Sequence, residues 1–260
     1  MKTIIALLAL MFFMILGSEV KGQDGKHLLL NYSVERTGWT PDNYQRVSTT
    51  TTYPQLSYFM TWGSGVGGGS AEFYAPGLFS GILGNVFVTA EDDSLQISNV
   101  NILGFVFQHF LFSSADQTHS FGGSWGIDFL GHSLATGAEE GSLNGLNKSG
   151  AEELAQLKGI GLSLGATYQL NLNDKILADA YFIYRLVYNS ESAKANGETF
   201  HGSGFQAHFR GRYYLNASWV AHADLILESL NHNPTTIQAG DIAGKMDFIT
   251  FSLGVGYQWN

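Results

Sequence analysis

From Ile160 to Leu172 the chain reads IGLSLGATYQLNL, with apolar and small or polar residues alternating at every step. Ile160, Leu162, Leu164, Ala166, Tyr168, Leu170 and Leu172 share one face of an extended segment. Gly161, Ser163, Gly165, Thr167, Gln169 and Asn171 share the other. After a short NLND stretch the pattern resumes: Ile176, Ala178, Ala180, Phe182, Tyr184, Leu186 and Tyr188 stand against Asp179, Tyr181 and Arg185. Soluble strands usually run about 5–6 residues, whereas a tilted strand crossing a bilayer needs roughly 9–11. Both segments have the longer reach. Beyond the first residues no stretch is apolar enough for a transmembrane helix, so a chain of this kind enters a membrane as a closed barrel.

The opening stretch is of another type. Lys2 precedes the apolar run Ile4–Leu16, which has the length of a signal-peptide core rather than of a bilayer span. Residues 1–22 are therefore expected to be a cleaved signal peptide, with residues 23–260 forming one barrel domain. Cleavage removes Lys2, Lys21 and Glu19 and takes the net charge from −9 to −10. An acidic chain is a poor partner for nucleic acid. Only 13% of residues are charged, while 32 are glycine and 13% aromatic, which argues against disorder and against a helical protein. With no cysteine there is no disulfide framework, thiolate metal site or cysteine nucleophile.

The segment Gly204–Leu230 extends the alternation to charged residues. Phe205, Ala207, Phe209, Gly211, Tyr213 and Leu215 lie on one face, and Gln206, His208, Arg210 and Arg212 on the other. Past a turn at Asn216–Ser218, Trp219, Ala221, Ala223, Leu225 and Leu227 oppose His222, Asp224 and Glu228. If Leu215 faces Trp219, Arg212 meets His222, Arg210 meets Asp224 and Gln206 meets Glu228. Opposite charges then pair across the strands on one face only.

The chain ends in FITFSLGVGYQWN, another amphipathic strand, with Tyr257 and Trp259 near its end. This resembles the C-terminal signature of Gram-negative outer-membrane β-barrels, from which it departs by placing Asn260 after the last aromatic. The resemblance is one of pattern over the whole mature chain. It implies an outer-membrane location, contact with outer-membrane lipid, and help from the barrel-assembly machinery. Tyr168, Tyr184, Tyr213, Trp219, Tyr257 and Trp259 are the expected interfacial aromatics.

Earlier strands are read at His27–Arg36, Gln55–Trp62, Leu78–Ala90, Gln96–Phe112 and Ser120–His132. With the five later ones they make an all-β, single antiparallel transmembrane barrel of about ten strands, within a range of 8–12. Links at 133–159, 189–201 and 231–246 are long, and those near 173 and 217 short. Gly63–Gly77 is too long for an easy short turn. Ser149, Glu152 and AEELAQLK spell a capped helix ended by Gly159, expected within the first long loop.

Motifs for chemistry are weak. GSGVGG at Gly63–Gly68 matches a dinucleotide fingerprint by letters but lacks the following helix, and reads as a bend. GHSLA at Gly131–Ala135 is a loose nucleophile elbow, which makes Asp128, His132 and Ser133 weak catalytic candidates. The coherent constellation is His208, Arg210, Arg212, His222, Asp224 and Glu228, joined by Asp179 and Arg185. Three readings fit it: paired filling of a narrow lumen, a permeation constriction, or catalysis. The last resembles the ten-stranded omptin proteases, but His222-x-Asp224 reverses their Asp-x-His order and the EDD at Glu91–Asp93 is a poor aspartate couple. The expected function is a small-solute channel or a passive scaffold with a charge-lined lumen, the alternatives being a hydrolase and a surface adhesin. No metal or cofactor is expected.

Overall fold

The computed structural model describes residues 25–42, 46–63, 65–74, 87–90, 95–99, 103–136, 152–189, 200–233 and 243–259. The proposed leader lies outside them. Twelve strands follow one another: β1 Gly25–Pro41, β2 Val47–Trp62, β3 Gly69–Tyr74, β4 Phe87–Ala90, β5 Leu95–Asn99, β6 Leu103–Ser113, β7 His119–Thr136, β8 Glu152–Asn173, β9 Ile176–Tyr188, β10 Phe200–Tyr214, β11 Trp219–His232 and β12 Gly244–Trp259. All pairings are antiparallel, and β1 pairs with both β2 and β12, which closes the sheet on itself. β3 and β4 pair with different stretches of β2 and occupy one wall position, and β5 and β6 do the same along β7. The result is a closed barrel with ten wall positions.

Alternation sorts the side chains. On β12, Ile249, Phe251, Leu253, Val255, Tyr257 and Trp259 face outward and are exposed, while Phe248, Thr250 and Ser252 face inward and are buried. The outward row from Ile249 to Trp259 covers roughly 25 Å along the barrel axis once strand tilt is included, the height of a lipid-facing band. Every strand needs its neighbours because lipid offers the backbone no hydrogen bonds. The links at Gly63–Gly68, 114–118, 174–175 and 215–218 are short and share one end with Gly25 and Trp259, whereas the opposite end carries the long connections. Long external and short periplasmic connections are the usual arrangement.

Three expectations are corrected. The capped helix is not formed: Glu152–Lys158 continues β8, paired with Gly131–Thr136 of β7. Ser149 itself lies outside the described residues. The outer end of β7 offers a complete row of backbone partners, and that pairing overrides local helix propensity. The long 63–77 link is also replaced. Gly63, Gly65 and Gly67, with φ of 59°, 94° and 85°, make a compact turn, and the chain re-enters the wall at Gly69. The proposed strand Leu78–Ala90 is thus in the wall at Phe87–Ala90, residues 75–86 lie outside the described residues, and β3 was not anticipated. Finally, β2 begins at Val47 rather than Gln55, because the Thr-rich stretch STTTTY carries β propensity without apolar alternation.

Candidate functional site

The barrel interior is layered. Towards the long-connection end, Trp39, Leu130, Leu157, Val187, Leu230, Met246 and Phe248 form a buried apolar cluster contributed by six strands. Towards the short-turn end, Leu29, Phe59 and Val220 form a second, with Tyr214 packed against it. Between them lies an ionic layer.

Its centre is Asp224 on β11. Arg210 on the adjacent strand donates from Nε to Asp224 Oδ1 at 2.5 Å and from a terminal nitrogen to Glu72 Oε1 at 2.8 Å. Two histidines complete the carboxylate's shell, His208 Nε2 at 2.8 Å and His222 Nδ1 at 3.0 Å. With its proton on Nε2, His208 accepts at Nδ1 from the Tyr181 hydroxyl, 2.5 Å away. Arg212 donates to Asp179 at 2.7 Å, and its guanidinium lies 4.3 Å from the centre of the Phe59 ring. Arg185 joins Asp128 at 2.9 Å to Glu228, which also accepts from Gln206 at 3.2 Å. Glu35 accepts from Thr37, Tyr53 and Thr250 at 3.1–3.2 Å.

These residues gather because β strands carry them on alternate positions of one face, and turn geometry fixes their register. The main-chain bond from Leu215 to Trp219 sets β10 against β11 so that Arg212 faces His222, Arg210 faces Asp224 and Gln206 faces Glu228, the pairing read from the sequence. Among the described residues the interior holds six carboxylates (Glu35, Glu72, Asp128, Asp179, Asp224, Glu228) and three guanidinium groups (Arg185, Arg210, Arg212). The space left between these groups is a cavity of about 70 Å³, enough for a few waters.

All eight residues expected in the lumen face the interior and belong to this layer. Of the catalytic candidates, Asp128 is buried and bound to Arg185. His132 and Ser133 sit further along β7, opposite Leu157 and Gln156, and their side chains lie outside the described residues. Asp128 thus lies in the ionic layer, away from His132 and Ser133 along β7. The proposed interfacial aromatics fall in two places. Trp219, Tyr257 and Trp259 cluster at the short-turn end, with Trp219 and Tyr257 edge to face at 5.4 Å, and Tyr213 lies near them. Tyr168 bonds His119 at the same end, whereas Tyr184 packs on Phe205 in the opposite half of the wall. Glu72, Glu35, Tyr53 and Tyr181 were not anticipated as participants. Tyr181 was legible as an inward residue of β9, but Glu72 sits on the missed strand β3, and its partner lies across the lumen. Among the described residues no group of three or more His, Asp or Glu is arranged to hold a metal ion.

No family model matches the chain, and no curated protein matches it in sequence. Among solved structures it is similar to the translocator domain of the autotransporter NalP from Neisseria meningitidis, at 12% identity and a TM-score of 0.42, over 99% of this chain and 98% of that one. The outer membrane protease OmpT from Escherichia coli matches at 8% identity and a TM-score of 0.35, over 93% and 99%. The outer membrane protein OprG from Pseudomonas aeruginosa matches at 13% and 0.33, over 93% and 100%. At such similarity no activity passes from them to this chain. Its own closed ten-position wall, apolar on the outside and linked by short turns at one end, has the architecture of a transmembrane β-barrel.

Proposed function

We propose that the barrel is a sealed outer-membrane scaffold rather than an open small-solute channel. The observation that carries this reading is the packing of the described lumen: buried apolar clusters flank an ionic layer, and the cavity lined by that layer is about 70 Å³. A permeation pathway needs charged groups that face water and release a solute, with binding weak enough for exit. Here the guanidinium groups pair with carboxylates at hydrogen-bond distance, and buried apolar clusters lie to either side of the layer. What the scaffold presents is its outer rim. Beyond the apolar row of β8, Glu152–Lys158 runs paired with the end of β7 and adds roughly 20 Å of hairpin. A rigid paired hairpin suits surface contact better than a hinged cover. The test is planar-bilayer recording of the refolded, fully inserted barrel at neutral pH. The expected trace is silent. Steady ohmic conductance from the wild-type barrel would sink the sealed reading and restore the channel.

A further inference from the structure

The outer wall carries a feature that the lumen does not explain. Across β8–β12 a groove of about 590 Å³ lies on the lipid-facing surface, a size common for bound small molecules. Ala207 supplies its floor, where the neighbouring strands place Phe182 and Leu227 directly opposite. One bank is the Tyr184–Phe205 pair, with ring centres 4.9 Å apart, and the other is Leu227 and Ile249. The groove ends at Ser229 and Asp247, at the upper edge of the apolar band of β12.

That upper edge is basic. Arg46 and Lys245 reach Asp247 at 3.5 and 3.2 Å, with both cationic side chains more than half exposed and the carboxylate between them a quarter exposed. Among the described residues, two positive charges around one negative leave a net positive site at the head of an apolar channel. Arg36, also exposed, lies one register step lower, across from the groove residue Ile249.

We propose that this groove binds one phosphate-bearing lipid of the outer leaflet, its acyl chain lying along Ala207 and its phosphate between Arg46 and Lys245. Charge complementarity selects the occupant. A neutral lipid would gain only the apolar contact, and a free phosphate only the weak, screened attraction of an exposed cation pair. Phosphate and acyl chain together use both halves of the site. The inference concerns the outer wall and is independent of whether the lumen conducts.

The test uses the full barrel in nanodiscs of phosphatidylcholine containing a minor fraction of phosphatidic acid with a photoactivatable acyl chain. The parallel sample carries the same label on phosphatidylcholine. After irradiation, adducts are mapped by peptide mass spectrometry. Labelling by phosphatidic acid is expected to concentrate on Phe182, Phe205 and Leu227, several-fold above the phosphatidylcholine label. Arg46→Gln with Lys245→Gln, both at exposed positions, is expected to erase that preference. Ala207→Trp should displace the adducts of both lipids, with heat-modified gel mobility confirming that this variant is folded. Adducts spread evenly round the barrel, equal labelling by the two lipids, or an unaltered pattern in the double variant would each overturn the proposal. So would loss of the preference on adding inorganic phosphate at ordinary buffer concentration, since that would assign the cations to the free ion alone.

Discussion

The wall from β8 to β12 and the wall from β3 to β6 are built to different standards. The first consists of five long strands, each paired on both sides along most of its length. In the second, β3 and β6 pair directly, but beyond them β4 has its described pairing with β2 and β5 with β7. What ties the two walls together is the ionic layer. Arg210 on β10 reaches across the lumen to Glu72 on the six-residue β3. The lesson is that a filled lumen can brace a weak wall against a strong one, so the polar interior has a mechanical part to play even without any transport.

Breaking the brace is the most severe test. Arg210→Met leaves the carboxylates of Asp224 and Glu72 buried without their guanidinium, and removing one partner of a buried pair typically costs about 3–5 kcal/mol. Urea unfolding followed by gel mobility should show a loss of that order, and a loss within error of zero would remove the network from the stability of the barrel. Glu72→Gln is milder and more local. It should raise hydrogen exchange in Gly69–Tyr74 while leaving β10 and β11 nearly unchanged; a uniform rise would mean that the two walls open as one unit. In the wild-type protein, β4 and β5 should exchange faster than β9 and β10 for the same reason. Equal protection would contradict the contrast between the walls.

The smallest effect lies outside the membrane, in the turn joining β6 to β7. Asp116 accepts from the Ser114 hydroxyl at 2.5 Å and from the Thr118 amide at 3.1 Å, and these bonds hold its carboxyl at about 2, below the usual 3.8. A depressed value means that the folded state favours the ionised form. The contribution is complete above pH 3.8 and fades as pH falls through about 2. Asp116→Asn should therefore lose this small, exposed contribution at neutral pH and remove the acid-range dependence. An NMR titration placing Asp116 near 3.8 would show that the turn is not held in this way.

Legibility followed the same division between walls. From β8 to β12 the strands alternate without interruption and the links at 174–175 and 215–218 are short, so face, register and the Arg210–Asp224 pairing could all be read from residues that are near one another along the chain. Across the lumen that logic stops. The Arg210–Glu72 contact joins residues 138 apart and depends on how far the sheet curves before it closes, which no local period records. β3 was hidden for a related reason: with only Ala71 and Phe73 outward and Ser70 and Glu72 inward, it is too short for a period to emerge beside five turn glycines. The helix expected near Glu152 failed through propensity, which knows nothing of a free strand edge waiting alongside.

Closure carries a consequence for how the molecule is made. Register between Gly25–Pro41 and Gly244–Trp259 joins the first described strand to the last, so the seam is the least local contact in the wall. Contacts of such separation form late and slowly. Until β12 is in place, every shorter product of synthesis is an open sheet with two unsatisfied rims, unable to rest in lipid and prone to pair with its own kind. Zipping that seam is thus an intrinsic inspection step: a chain whose final strand is damaged stays recognisably unfinished, whatever the quality of the strands before it.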